Sequence, residues 1–148
     1  MCDYKKISEE GHASLKTAMM RSVVCDTLNW IEANLHSDLH IEQLASRAGY
    51  TRWHFQRSFK KITGQSLSEY VRIRRIVKAT EAIIHTRERM VDIAYDSGYS
   101  NQQLMSRLIR ATFGMSPTEL RHCASVCPCS EIIGQQVTTL KQSVLLTN

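Results

Sequence analysis

Apolar residues recur along most of this chain at intervals of three and four, which is the spacing of one face of an α-helix. The clearest case is "SVVCDTLNWIEANL", residues 22–35, whose apolar positions share one face: Val24, Leu28, Ile31 and Leu35. Alternation of apolar and polar residues, which indicates strands, is scarce, and the two prolines stand at positions 117 and 128. The pattern therefore predicts an all-α protein.

Capping residues divide this pattern into about seven helices. Thr51 and Ser66 are N-cap residues by type and position, and Pro117 suits the first turn of a helix. Gly64 and Gly114 follow the predicted ends of two helices, where glycine is common. The predicted helices cover, approximately, residues 22–35, 41–48, 52–63, 67–85, 92–97, 101–113 and 117–123.

The chain contains an internal repeat. Residues 41–50, "IEQLASRAGY", align with residues 90–99, "MVDIAYDSGY", and the alignment continues to residue 119 after one inserted residue. Each copy consists of a short helix, a turn that contains glycine and a second helix, which is the outline of a helix-turn-helix motif. A stacked solenoid needs at least three copies. Two copies suit a pair of DNA-contacting subdomains.

The predicted helix between the two copies has the length of a spacer. About 19 helical residues span roughly 28 Å, and successive turns of one DNA face are about 34 Å apart. A rigid helix of this length would hold two recognition helices in adjacent segments of the major groove. The alternative is an ordinary helical bundle that arose by duplication.

The second helix of each copy combines an apolar face with a polar face that suits base contacts. Arginine can form two hydrogen bonds to guanine, glutamine can do the same with adenine, and an apolar group can pack on the thymine methyl. In the first copy the base-contacting candidates are Trp53, Gln56 and Arg57. In the second copy they are Asn101, Gln102, Gln103, Ser106 and Arg107. The alternative for each polar residue is exposure to solvent without a DNA contact.

The charge distribution favours a polyanionic partner. The net charge is +5, and residues 40–121 hold 14 Lys and Arg against 7 Asp and Glu. A basic middle between near-neutral ends is typical of nucleic-acid binding, although a merely soluble basic surface would also produce it. Five cations are expected to contact phosphates, which position a protein without specifying sequence. They are Arg47, Arg52, Lys60, Lys61 and Arg110.

Four segments resemble the AraC/XylS family of transcription regulators, and above all its small MarA/SoxS/Rob branch. They are "WIEANL" (30–35), "AGYTRWHFQRSFKKITGQSLSEYVRIRR" (48–75), "IAYDSGYSNQQ" (93–103) and "FGMSPTELR" (113–121). The resemblance implies a seven-helix domain with two helix-turn-helix subdomains that binds double-stranded DNA as a monomer at an asymmetric site. It also implies an activator that contacts RNA polymerase at stress-response and multidrug-resistance promoters.

By position, the resemblance assigns base contacts to both copies. Trp53, Gln56 and Arg57 match the base-contacting residues of the first subdomain. The matching residues of the second subdomain are Gln102, Gln103, Ser106 and Arg107. The expected organisation is an N-terminal extension (1–20), a first subdomain (21–66), a linker helix (67–86), a second subdomain (87–123) and a C-terminal tail (124–148).

The chain departs from the family pattern at three positions of the second subdomain. Leu104 replaces a small polar residue, Ile109 replaces an aromatic residue, and Leu120 replaces a Tyr or Phe. These changes indicate less stringent base recognition by this subdomain, or recognition of another sequence. Since roughly 20 residues precede the first predicted helix, we expect no ligand-binding domain in this chain. We therefore expect control through abundance rather than through a bound effector.

The C-terminal tail suggests a rival function. Cys123, Cys127 and Cys129 lie close enough in "CASVCPCS" to share a metal or form a disulfide, although no Cys-x-x-Cys pair occurs. An inert tail is one interpretation, and a thiol- or metal-responsive DNA-binding switch is the other. A weak amphipathic helix is also possible there, with apolar positions Ile133, Val137, Leu140 and Val144.

Several function classes find no support in the sequence. No serine, histidine and acid set, paired acids or phosphate loop suggests an enzyme, and we expect no cofactor or bound metal. No apolar run approaches the ~20 residues of a membrane span. Glu9 and Glu10 stand where a signal peptide would be apolar, so we expect a cytoplasmic protein associated with the bacterial nucleoid. A non-specific nucleoid protein is a further alternative to a specific regulator.

Overall fold

The computed structural model describes the backbone of residues 4–126 and 129–145, and the side chains of residues 15–126 and 134–142. These residues form eight helices: α1 (Tyr4–Ala33), α2 (Ile41–Ala48), α3 (Arg52–Thr63), α4 (Leu67–His85), α5 (Met90–Asp96), α6 (Gln102–Phe113), α7 (Pro117–Val126) and α8 (Cys129–Leu145). The all-α prediction is confirmed. Within the described part of the chain, no helix combines the length and the apolar character needed to cross a membrane.

Helix α1 is longer than the apolar pattern predicts. It begins at Tyr4 rather than near residue 22, and it spans 30 residues. Its buried face includes Met20, Val24 and Leu28, whereas Leu15 and Met19 are mostly exposed. Periodicity marks only the part of a helix that packs against something. Because Leu15 and Met19 are exposed, they do not extend the buried apolar face towards the start of α1, and apolar spacing gives no signal there.

Helix α8 is the second difference from the predicted set, because the tail adds an eighth helix. Val137 is buried and Leu140 packs against the core, as the amphipathic interpretation of the tail requires. Lys141 forms an ion pair with Glu81 of α4. The side chains of Ile133 and Val144 lie outside the described residues.

The two repeat copies fold as two helix-turn-helix units, α2–α3 and α5–α6. Leu44 and Ala45 of the first unit are buried, and so are the aligned Ile93 and Ala94 of the second. Small alanine side chains allow the two helices of each unit to approach closely. Ile109, which departs from the family pattern, is fully buried and fills its unit without an aromatic ring.

Helix α4 connects the two units and belongs to the core of both. Its 19 residues include buried side chains along its whole length, from Leu67 to Ile83. Glu32 of α1 accepts two hydrogen bonds from the Arg74 guanidinium, at 2.6 and 2.8 Å, and a third from the Tyr70 hydroxyl at 3.0 Å. This network fixes α1 on α4. Burial, reinforced by the nearby Glu32 carboxylate, raises the pKa of Tyr70 well above its usual range.

Candidate nucleic-acid interface

Helix α3 presents a polar face away from its core side. The Thr51 hydroxyl accepts a hydrogen bond from the His54 backbone N–H, so Thr51 is the N-cap, as predicted. Phe55 and Phe59 are fully buried, and this anchors the helix in the first unit. Their burial turns the opposite face to solvent. That face brings together Trp53, Gln56, Arg57 and Lys60, all exposed.

Trp53 is the most unusual residue on this face, because 67% of it is exposed. The Arg57 guanidinium carbon lies 5.1 Å from the centroid of the Trp53 ring, so the two side chains stack. Stacking on an aromatic face limits the orientations of the guanidinium while its N–H groups stay available. The pair is therefore arranged for contact with a partner that has both apolar and hydrogen-bonding groups.

Helix α6 presents a similar face in the second unit. Met105 and Ile109 are fully buried, which directs Gln103 and Arg107 outwards. Gln102 is exposed at the start of the helix, and Ser106 is half-buried at the edge of the face. The four predicted base-contacting residues of this unit therefore lie at or beside one exposed face.

Asn101 has a structural role that competes with a base contact. Its side-chain oxygen accepts a hydrogen bond from the Leu104 backbone N–H at 2.8 Å, so Asn101 is the N-cap of α6. Leu104 is half-buried and packs against the core. Packing therefore explains a leucine at the position where the family pattern has a small polar residue.

Two of the predicted phosphate-contacting residues already have partners near the first unit. The Arg52 guanidinium lies 2.6 Å from the Glu42 carboxylate, and both side chains are well exposed. The Arg47 guanidinium carbon lies 5.4 Å from the ring centroid of Trp30. An exposed ion pair contributes little to stability. Arg52 can therefore exchange Glu42 for a phosphate at small cost.

The other three predicted phosphate-contacting residues differ in position. Arg110 lies 3.8 Å from Glu119, which also accepts a hydrogen bond from the Ser116 backbone N–H at 2.6 Å. That hydrogen bond lowers the pKa of the Glu119 carboxyl group. Lys60 shares the exposed face of α3. Lys61 is exposed but borders a groove between α1, α3 and α4, away from the centre of that face.

Sequence reasoning missed this third side of α3. Tyr50 stacks on the His54 ring with centroids 5.2 Å apart, and Ser58 and Lys61 continue the same side. The groove is open to solvent and is bounded by Met20 of α1. Apolar spacing does not predict this side of α3, because His54, Ser58 and Lys61 belong neither to its buried face nor to the face of Trp53 and Arg57.

The two recognition helices share an electrostatic property. Neither α3, "RWHFQRSFKKIT", nor α6, "QQLMSRLIRATF", contains an Asp or Glu. The carboxylates of the units lie on the preceding helices, as Glu42 on α2 and as Asp92 and Asp96 on α5. The exposed faces of α3 and α6 are therefore positive or neutral, and they suit a polyanion.

The cysteine cluster is only partly described. Cys123 is half-buried on α7, whereas Cys127 and the side chain of Cys129 lie outside the described residues. Where side chains are described, no group of three or more His, Cys, Asp or Glu residues is arranged to hold a metal.

Comparison with known proteins identifies similar sequences and folds. A family described as a helix-turn-helix domain matches residues 44–122. The HTH-type transcriptional activator AarP of Providencia stuartii is 38% identical over 105 residues, which cover 71% of this chain and 78% of AarP. The multiple antibiotic resistance protein MarA of Salmonella typhimurium is 37% identical over 94 residues, 64% of this chain and 74% of MarA.

A solved structure supports the same fold. It is a transcriptional regulator of Chromobacterium violaceum, described as an AraC-type DNA-binding domain-containing protein. Its TM-score is 0.64 at 24% identity, and the match covers 73% of this chain and 96% of that structure. The two-unit arrangement around α4 is therefore an arrangement that known proteins adopt.

Proposed function

The chain belongs to the AraC/XylS family of transcription regulators, and we propose that it inserts α3 and α6 into adjacent segments of the major groove. One observation carries the proposal. Two acid-free helices, α3 before α4 in the chain and α6 after it, each expose amide and guanidinium groups on the face opposite their buried residues. Such groups recognise base edges in the major groove. The protein is accordingly a sequence-specific DNA-binding regulator.

The proposed base contacts follow from the exposed faces. Arg57, held on the Trp53 ring, bonds guanine, while Gln56 bonds adenine and Trp53 packs on thymine methyl groups. In the second unit, Gln103 and Arg107 lie at the centre of the face and make the corresponding contacts. Gln102 and Ser106 lie at its margins and contribute contacts from there.

The proposed phosphate contacts surround these faces. Arg47 lies on α2 and Arg52 is the first residue of α3, while Lys60 and Arg110 lie further along the two exposed faces. Arg52 leaves Glu42 when it meets the DNA backbone, because their exposed pair is weak. Lys61, at the border of the groove, contacts a phosphate beside the groove wall.

We further propose that the protein activates transcription. AarP is named a transcriptional activator and MarA a multiple antibiotic resistance protein. The two names support activation of promoters that act in antibiotic resistance. We propose stress or multidrug-resistance promoters as the targets. We also propose that the protein acts as a monomer on DNA, contacts RNA polymerase and works in the cytoplasm at the nucleoid. We expect no catalytic activity, because this family regulates transcription. The names of AarP and MarA give no support to the thiol- or metal-responsive alternative.

The test is selection of bound sequences from a random DNA pool. We expect enrichment of one asymmetric site with two short conserved boxes whose centres lie about one helical turn apart. Competition at a fixed salt concentration should then show at least about 10³-fold tighter binding to this site than to random DNA. A pool without enriched boxes, bound with equal affinity for all sequences, would indicate a non-specific nucleoid protein instead.

A further inference from the structure

Arg75 joins the middle of α4 to the end of α1. Its Nε donates a hydrogen bond to the Leu35 carbonyl oxygen at 3.0 Å, and its Nη2 donates to the Ser37 carbonyl oxygen at 2.7 Å. Both carbonyls follow the last turn of α1 and would otherwise lack helical partners. The half-buried guanidinium therefore fixes the segment between α1 and α2, which leads into the first unit, on the linker helix.

Gly98, in the turn between α5 and α6, lies against the same atoms. A Cβ atom at Gly98 would stand 2.0 Å from the Leu35 carbonyl oxygen and 2.6 Å from Arg75 Nε. The backbone of the second unit is thus in direct contact with Arg75 and with the segment between α1 and α2; this segment and the α2–α3 unit both belong to the first subdomain (21–66). Lys78 of α4 strengthens the contact, because its Nζ donates a hydrogen bond to the Asp96 carbonyl oxygen at 2.7 Å.

The first unit has no such contact at its own turn. Gly49 aligns with Gly98 in the repeat, and both have positive φ, 78° and 85°. A Cβ atom at Gly49, however, would meet no described atom within 4 Å. The helix-turn-helix motif therefore does not itself require a close approach at this position. The contact at Gly98 belongs to the arrangement of the two units.

We propose that this inter-unit joint, formed by Arg75, Gly98 and the Leu35 carbonyl, sets the spacing between DNA boxes that the protein accepts. The proposal rests on the two-box function proposed above. Gly98 lies four residues before α6 begins at Gln102, so a displaced turn moves the recognition helix with it. Arg75 and Gly98 are positioning residues that contact no base.

The expected effects follow from the distances. A side chain at Gly98 must move the turn by about 1 Å or more, because Cβ contacts shorter than 3.0 Å essentially do not occur. Gly98→Ala should therefore weaken binding to the native spacing at least about 10-fold while binding to a single box changes less than about 3-fold. Arg75→Lys retains the charge but cannot form both hydrogen bonds, so the two units become free to vary in distance. It should reduce the wild-type preference for native spacing over spacings one base pair longer or shorter at least about 5-fold.

The experiment measures affinity of the full chain for the selected site and for versions with one base pair inserted or deleted between the boxes. Gly49→Ala is the matched control, because it introduces the same positive-φ strain without the close contact. It should lower affinity by one factor at every spacing. Each variant is first checked for a cooperative thermal transition. If Gly98→Ala does not fold, the comparison of Arg75→Lys with the wild-type protein alone tests the proposal.

Two negative outcomes are distinguishable. If the wild-type protein selects no second box, the proposed two-box function fails. If the wild-type protein prefers one spacing, and Gly98→Ala and Arg75→Lys bind every spacing with the wild-type preference, only the joint is refuted. The joint would also be refuted if Gly49→Ala reduced the preference for the native box spacing as strongly as Gly98→Ala does. Positive-φ strain in the turn would then explain the effect without any contact between the units.

Discussion

Replacement of Arg57 by alanine tests whether the exposed face of α3 contacts bases. Arg57 stacks on Trp53 at 5.1 Å, and no hydrogen bond or ion pair involves its guanidinium within the described residues. An exposed cation–π contact contributes about 0.5–1 kcal/mol, so the loss of folding stability should be no larger than this. The change in DNA binding can therefore be measured on a folded protein.

The loss of discrimination should be much larger than the loss of stability. A bidentate contact to guanine contributes about 1–3 kcal/mol against the wrong base, which corresponds to about 5- to 150-fold in affinity. We expect Arg57→Ala to lose this preference at one base pair in one half of the site. Affinity for random DNA should fall far less.

The assay compares affinities for the selected site, for each single base-pair substitution and for random DNA at several salt concentrations. Lys60→Ala is the matched control on the same face of α3. Because Lys60 is assigned to a phosphate, its loss should weaken all sequences about equally and make the salt slope shallower by about one unit. Equal weakening of specific and random binding by Arg57→Ala would show that Arg57 contacts a phosphate, and the base-contact assignment would fail.

Three further predictions concern stability in urea titrations. Thr51→Ala and Asn101→Ala should each lower the free energy of unfolding by about 1 kcal/mol, because each removes an N-cap hydrogen bond; Asn101→Asp should keep it. Glu32→Gln should cost about 2 kcal/mol, because Arg74 loses its charged partner in a half-buried site; an unchanged midpoint would contradict this. Burial raises the pKa of Tyr99 from 10.0 to about 12, so its neutral form stabilises the fold below pH 10, and this contribution disappears as the pH rises to about 12. Tyr99→Phe should reduce the loss of folding stability between pH 10 and about 12. If the variant and the wild-type protein lose the same stability over this range, Tyr99 is not the group responsible.

The parts of the fold that could be predicted are those with a local cause. Burial on one side of a helix produces the apolar spacing that revealed Phe55 and Phe59, and capping chemistry revealed Thr51. In the part of α1 before residue 22, Leu15 and Met19 are exposed, so these two residues supply no buried apolar face. Apolar spacing therefore does not distinguish this helical extension from a tail.

The exposed face of α3 could also be predicted from the sequence, because it follows from the apolar spacing of the buried face. The exposed face of α3 is the complement of its buried face, so locating Phe55 also locates Trp53 and Arg57 on the other side. Partners that are distant in sequence were not predictable. The pairing of Arg52 with Glu42 and the packing of Leu104 depend on neighbouring helices rather than on helical spacing.

The inter-unit joint involves one of two glycines that the sequence repeat makes equivalent. In the sequence, Gly49 and Gly98 are equivalent, since each precedes a tyrosine in an aligned turn. In the structure only Gly98 contacts the other unit, across 63 residues of chain from Leu35. Packing of each unit on α4 does not by itself join the two units to each other, because each could shift on the helix independently. Contact between the units away from the helix axis removes that freedom, and this is why one glycine of the pair is expected to control spacing while the other is not.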